Sequence, residues 1–504
     1  MLGFSFVAAS CCALAAGIAG AQESSRFEHT TIGETAPADW QTEGAVALDR
    51  SVTRGGSASV RIEQPDPNGT GRALGRMAAR DVAGDRGRLS GYLRTAAVAS
   101  GAASLWLRID GPNGLLYFDG MRDRGAAGTT DWTRYEVEAP LFPEATEITY
   151  GAMLRGSGTA WVHDLELTAV HTADLPPPSA AAKRYLEEAL VVMREHSLVR
   201  ASTDWPALTA AALAQARGAA TPADAHLAVS YALRRLGDDH SYLASSGQSR
   251  ALLEAPVVNA RTGRRAVEPR GEQLPGGIGY LWVPGFAGGR PEHQVAFGNR
   301  LQASIRELDA AGSCGWILDL RDNRGGNLWP MLIGVGPLLG EGVLGASHFP
   351  DGSVTALSYV NGQARYGEYT QLRVSAEPYR LRRTEPPIAV LLGRATASSA
   401  EVLAAGFRGM RNARSFGTPT SGVSTGTRIF ELSDGAALVL AVAATSDRTG
   451  RVLNGPITPD EEVREERGAR DAPLVEQPVV RAALEWLGAE PACRSAAGQE
   501  LDSF

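Results

Sequence analysis

At Pro176-Pro177-Pro178-Ser179 the hydrophobic period of the chain changes, so one uniform layer of structure cannot run across that point. Before it, apolar and polar residues alternate in short runs: Ala58-Ser59-Val60-Arg61-Ile62, Leu89-Ser90-Gly91-Tyr92-Leu93, Leu105-Trp106-Leu107-Arg108-Ile109, Tyr135-Glu136-Val137 and Leu165-Glu166-Leu167. A period of two marks strands with one buried face, and clusters such as Asp110-Gly111-Pro112-Asn113-Gly114 mark the turns between them. Many short strands of this kind imply an antiparallel sandwich. After the break, Tyr185, Leu186, Ala189, Leu190 and Met193 follow helical spacing, and residues 205–216 and 224–236 repeat it. Thr221-Pro222 fits a helix start, and Gly237 fits a stop.

Beyond residue 270 strands and helices alternate. Residues 279–283, 316–320 and 387–392 read as strands, 294–310 and 398–410 as helices, and 429–432 with 437–443 as a hairpin around Asp434-Gly435. That is a mixed α/β pattern. The expected organisation is therefore a multidomain chain. Residues 22–172 form the sandwich, 173–179 a Pro-rich linker, 180–250 a helical subdomain, 251–490 an α/β core and 491–504 a tail. A chain of 504 residues is also too long for one ordinary core.

The net charge of −7 argues against nucleic acid or an anionic membrane surface as the main partner. Residues 1–21 are apolar, uncharged and short, and they end in Ala19-Gly20-Ala21. This predicts a secretory signal and a periplasmic or extracellular protein. A lipidated Cys11 or Cys12 is the weaker rival, because the apolar run before them is too short. A spanning helix needs about 20 apolar residues, and no later segment supplies them. After cleavage Cys314 and Cys493 remain, open either to a disulfide or to two unpaired thiols. The eight histidines are scattered and none forms a ligand pair with a cysteine, so neither metal nor cofactor is expected.

Three segments carry chemistry. In Arg394-Ala395-Thr396-Ala397-Ser398-Ser399-Ala400-Glu401 a serine stands where an apolar strand turns into a helix, beside free backbone N–H groups. The plain alternative is a helix cap, with Glu401 completing a capping box. In Asp319-Leu320-Arg321-Asp322-Asn323-Arg324-Gly325-Gly326-Asn327 a strand ends in a charged turn, and paired glycines let N–H groups face a ligand. The alternative there is an ordinary turn. In Leu236-Gly237-Asp238-Asp239-His240-Ser241-Tyr242 a histidine follows a helix, and histidine is the usual proton acceptor for a serine nucleophile. Alone, a loop histidine is more often a solvated or capping residue than a catalyst.

In this order, with Gly417-Thr418-Pro419-Thr420-Ser421-Gly422 and Gly455-Pro456-Ile457-Thr458-Pro459-Asp460 following, the segments resemble the tricorn core and carboxy-terminal processing protease family, from about Ala180 to about Val463. The resemblance implies a ClpP/crotonase-like α/β core and a serine-type peptidase acting on peptide or protein. Ser398 would be the nucleophile, His240 the base, and the backbone N–H groups of Ser399 and of Gly325 or Gly326 the oxyanion hole. Processing proteases use a lysine where Val423 stands. Lys183, the only lysine, lies far off in sequence, which leaves the histidine-dependent, tricorn-like branch. Tricorn-like enzymes have a serine where Asp239 stands and a glutamate where Leu453 stands. The group orienting His240 therefore stays open, with Asp239 and Ser241 the candidates. No segment resembles an inserted PDZ module.

Trp40, Gly55-Gly56-Ser57, Asp131-Trp132 and Gly158-Thr159-Ala160-Trp161 also loosely resemble the jelly-roll of carbohydrate-binding modules. This resemblance implies a glycan contact through Trp132 and Trp161, although tryptophans in small sandwiches are more often core. Two other functions remain open: a catalytically inactive peptide- or glycan-binding protein on the same scaffold, and a serine esterase.

Overall fold

The computed structural model describes residues 25–26, 40–121, 124–254, 268–466 and 468–494. The signal read over 1–21 lies outside them, as does all but the start of the 491–504 tail. The chain divides into two compact units between Asp174 and Leu175.

The first unit is antiparallel throughout its described strands. Its spine is one strand of 26 residues, Arg86–Gly111. The first half of this strand pairs with Ala126–Pro140 and Ser157–Val170, and the second half with Gly114–Asp119 and Glu147–Arg155. The sequence predicts two strands here, around Leu89 and Leu105. They are one strand because the small residues between them stay extended while register shifts and positive φ at Ala97 and Ser100 bend the chain. Leu89, Leu93, Leu105, Leu107 and Ile109 are all at 0% exposure, so both halves turn their alternating face inward.

Neither tryptophan read as a sugar platform is a bare ring. Trp161 donates its indole N–H to Asp49 (2.9 Å), and the Arg94 guanidinium lies 6.0 Å from its ring centroid. Trp132 meets His163 edge to face at 6.0 Å.

The second unit begins with helices Ala180–His196, Trp205–Gln215 and His226–Leu236. Ser179 and Asp204 cap the first two through their side chains, and Gly237 ends the third at φ +76°. Their apolar stripes pack together with Leu432, Leu438 and Leu440 of the later hairpin.

Two sheets follow. One runs Arg270–Leu274, Ile278–Trp282, Gly315–Asp319, Ile388–Leu392, Ala413–Gly417 and Glu461–Glu462 in spatial order, parallel after its first pair. Gly315–Asp319 and Ile388–Leu392 are buried at every residue, as parallel strands covered on both faces must be. The other sheet is antiparallel, and Ala437–Asp447 pairs in it with Tyr242–Ala244, Gly426–Glu431 and Gly342–His348. The helix read over 398–410 is shorter, Ser399–Ala405. Gly406 follows it, and its carbonyl is taken by the Arg448 guanidinium (2.8 Å).

Just ahead of strand Gly315–Asp319, Cys314 forms a disulfide with Cys493. At the other end of strand Gly315–Asp319, Arg321 is 3% exposed and bonds Asp319 (2.6 Å), Glu465 (2.7 Å) and Gln477 (2.9 Å). The Tyr280 hydroxyl donates to Asp319 (2.8 Å), and burial with that charge raises its pKa above the usual phenol range. Removing Arg321 would leave Asp319 buried and without its cation. Arg321→Ala is expected to cost about 3–5 kcal/mol, read from the denaturant midpoint. A loss below about 1 kcal/mol would show that the network does not hold the sheet edge to the C-terminal segment.

Candidate active site

Parallel pairing decides where the chemistry-bearing loops emerge. Asp319 lies opposite Leu391, so both strands end at the same sheet edge. One strand runs on to Gly325-Gly326 and the other to Ser398. Such carboxyl ends are where open α/β sheets bind ligands.

Ser398 sits at φ +57°, ψ −123°, a conformation that costs a non-glycine residue about 1–3 kcal/mol. Hydrogen bonds on both sides of the turn hold it. Ala397 N–H donates to Asn323 O (3.1 Å), Thr396 O–H to Leu320 O (2.8 Å), and Ser398 N–H to Glu401 (2.9 Å). The last contact is half of the capping box read from sequence. Cap and strained turn are therefore the same feature, and the serine hydroxyl is presented at a sharp corner.

The two glycines are required by approach. A Cβ on Gly325, at φ +83°, would lie 2.8 Å from Ser398 Cβ and 3.0 Å from Ser399 N. One on Gly326, at φ +111°, would lie 2.1 Å from Phe286 O. Of the three N–H groups read as oxyanion donors, that of Gly325 is spent on Asn323 Oδ1 (2.9 Å). Among the described residues no acceptor takes the N–H of Ser399 or Gly326.

The imidazole arrives from the other sheet. Gly237 turns the chain out of its helix, and Asp238 accepts the N–H groups of His240 (3.1 Å) and Ser241 (2.7 Å) and the Ser241 hydroxyl (2.6 Å). Tyr242–Ala244 and Gly426–Glu431 flank the same strand, Ala437–Asp447, on its two sides. His240 and Thr425 stand just ahead of these flanking strands, and their side chains come together. His240 Nε2 lies 3.1 Å from Ser398 Oγ, and Nδ1 lies 2.7 Å from Thr425 Oγ1.

The group on Nδ1 is thus neither of the two considered from sequence. Asp239 pairs with Arg234, and the Ser241 hydroxyl is engaged by Asp238 and the Ala441 N–H (2.9 Å). Thr425 gave no signal in the sequence, because a threonine in a Ser-Thr-Gly loop reads as an ordinary turn residue. With Nδ1–H donating to Thr425, Nε2 keeps its lone pair toward the Ser398 hydroxyl, which is the tautomer a general base requires. Val423 offers only its backbone here, and Lys183 pairs with Glu187 (3.6 Å) on the first helix. Among the described residues no cluster of metal-ligating side chains occurs.

Burial lowers the His240 pKa from its ordinary 6.5, and the nearby negative charge of Asp238 opposes this only in part. Because the charged form is disfavoured, half-protonation needs more acid. An NMR titration of His240 should have its midpoint below 6.5, and Asp238→Asn should move it lower still. A midpoint above the ordinary value would contradict the burial argument.

Residues 277–463 match the model of peptidase family S41. The nisin-resistance protein of Lactococcus lactis subsp. lactis is 28% identical over 287 residues, 57% of this chain and 84% of that protein. A carboxyl-terminal-processing protease of Synechocystis sp. is 30% identical over 141 residues, 28% of each chain. Among solved structures, a lipoprotein from Streptococcus agalactiae is similar over 62% of this chain and 98% of that one, with 24% identity and a TM-score of 0.49. The family match takes in the Gly-Gly turn and Ser398, whereas His240 lies ahead of it.

Proposed function

We propose that the chain is a serine-type peptidase that cleaves peptide bonds through an acyl-enzyme on Ser398 with His240 as the base, a reading supported by the match of residues 277–463 to peptidase family S41. The observation that carries this reading is the 3.1 Å approach of His240 Nε2 to Ser398 Oγ, across 158 residues of sequence. On this reading the 180–250 segment delivers the base and the 251–490 segment the nucleophile.

The steps follow from the contacts. Ser398 Oγ attacks the substrate carbonyl as its proton passes to His240 Nε2. The developing oxyanion lies between the N–H groups of Ser399 and Gly326. The imidazolium then gives its proton to the leaving amine; water attacks the acyl-enzyme as His240 takes its proton, and His240 returns that proton to Ser398 Oγ as the acid leaves. Base assistance of this kind is worth about 10²–10⁴ in rate, and one oxyanion donor about 10²–10³. Thr425 can fix the imidazole tautomer but, being neutral, lends the imidazolium no opposite charge as a carboxylate would.

Export is part of the proposal. The apolar leader 1–21 and the Cys314–Cys493 disulfide both suit an oxidising compartment outside the cytoplasm. A glycan contact through residues 22–172 draws no support from Trp132 and Trp161, whose rings meet His163 and Arg94.

A serine-reactive fluorophosphonate is expected to label the purified protein at Ser398, with unstructured peptides cleaved in parallel. Ser398→Ala should abolish both while the melting temperature stays close to that of wild type, and His240→Ala should lower kcat/KM by about 10²–10⁴-fold. Labelling that persists in Ser398→Ala would reject the nucleophile. An unlabelled, inactive wild type would favour the binding-protein reading, and cleavage of esters but not peptides the esterase.

A further inference from the structure

Glu401 is at 0% exposure, and none of the described ion pairs includes it. A buried carboxylate in that position is costly unless hydrogen-bond donors replace the lost water. Four do. Oε2 accepts Ser398 N–H (2.9 Å) and Val423 N–H (2.9 Å), while Oε1 accepts the Thr420 hydroxyl (2.5 Å) and Gly422 N–H (2.8 Å). Every contact is a donor, so an acceptor-only carboxylate satisfies all of them and an amide cannot.

A capping box alone would use only the Ser398 contact. The other three bonds fix the loop 420–423, which further bonds also hold: Thr420 N–H to Ile457 O (3.1 Å), Ile457 N–H to Thr420 Oγ1 (2.8 Å) and Ser421 N–H to Thr396 O (2.9 Å). Two residues beyond Val423 stands Thr425, whose hydroxyl contacts His240 Nδ1. We infer that Glu401 is a positioning residue for both halves of the Ser398–His240 pair. It holds the nucleophile through the Ser398 N–H, and it holds the base through the loop that carries Thr425. The inference rests on the peptidase reading above, with Glu401 touching neither substrate nor the reacting atoms.

Glu401→Gln preserves volume but turns an NH₂ group toward two donors. It is expected to lower kcat by about 10–100-fold, the scale of a misplacement near 1 Å, with KM within about threefold. Fluorophosphonate labelling should slow in proportion, and the imidazole ¹⁵N resonances of His240 should shift. Because Glu401 and Thr425 act on the imidazole through one loop, the double variant Glu401→Gln/Thr425→Val should lose less than the product of the single losses.

Wild-type kcat and labelling rate in Glu401→Gln would overturn the inference, as would losses that simply multiply. Should Glu401→Gln fail to fold, Thr420→Val removes one donor from the same carboxylate, and an unchanged kcat in that variant would overturn it equally. A labelled, active wild type beside an equally active Glu401→Gln sinks only this inference. A wild type that neither labels nor cleaves sinks the peptidase reading beneath it.

Discussion

Two apolar strands, Gly315–Asp319 and Ile388–Leu392, lie side by side and parallel with no residue exposed. A strand buried on both faces cannot slip or flip without exposing apolar surface or leaving backbone groups unpaired. Their fixed register sets where each chain leaves the sheet, and so sets the approach of the Gly325-Gly326 turn to Ser398. That approach leaves no room for a side chain at Gly325. The buried Asp319–Arg321–Glu465 network then ties the same sheet edge to the C-terminal segment.

The second sheet has a different task. Its strand Ala437–Asp447 holds Tyr242–Ala244 on one side and Gly426–Glu431 on the other, and so brings a helix-end histidine and a loop threonine to one place. The imidazole that results is desolvated and oriented by a hydroxyl rather than a carboxylate. Such an imidazole keeps its neutral form to lower pH than a solvated one, and a neutral hydroxyl on Nδ1 lends its protonated form none of the support that an anion would. Asp238, whose charge acts on the imidazole, shapes the turn instead by accepting the N–H groups of His240 and Ser241 and the Ser241 hydroxyl.

Much of the site was legible. Ser398 follows a strand and precedes a helix, Gly325-Gly326 follows another strand, and His240 follows a helix stop. Each of these is a local pattern with a local cause. Thr425 was not legible, because nothing nearby marks it and its role arises from pairing with a strand that begins a dozen residues later. Asp239 stood beside His240 in sequence, but its left-handed backbone and its pairing with Arg234 turn it away. In the first unit the alternation was legible strand by strand. The joining of two runs into Arg86–Gly111 was not, because the small residues between them permit either a turn or a bend, and pairing partners far along the chain decide.

By itself the sequence determined the change of period at the proline run, the α/β alternation after it, and the placing of a serine and a Gly-Gly turn after strands and of a histidine after a helix stop. These follow from side-chain spacing and local backbone preference, which act over a few residues. Only the tertiary structure decided which N–H groups are free to meet an oxyanion, which hydroxyl holds the imidazole, and where the four donors around Glu401 come from. Those are contacts between segments up to 185 residues apart. They depend on strand register and burial, which no local pattern encodes.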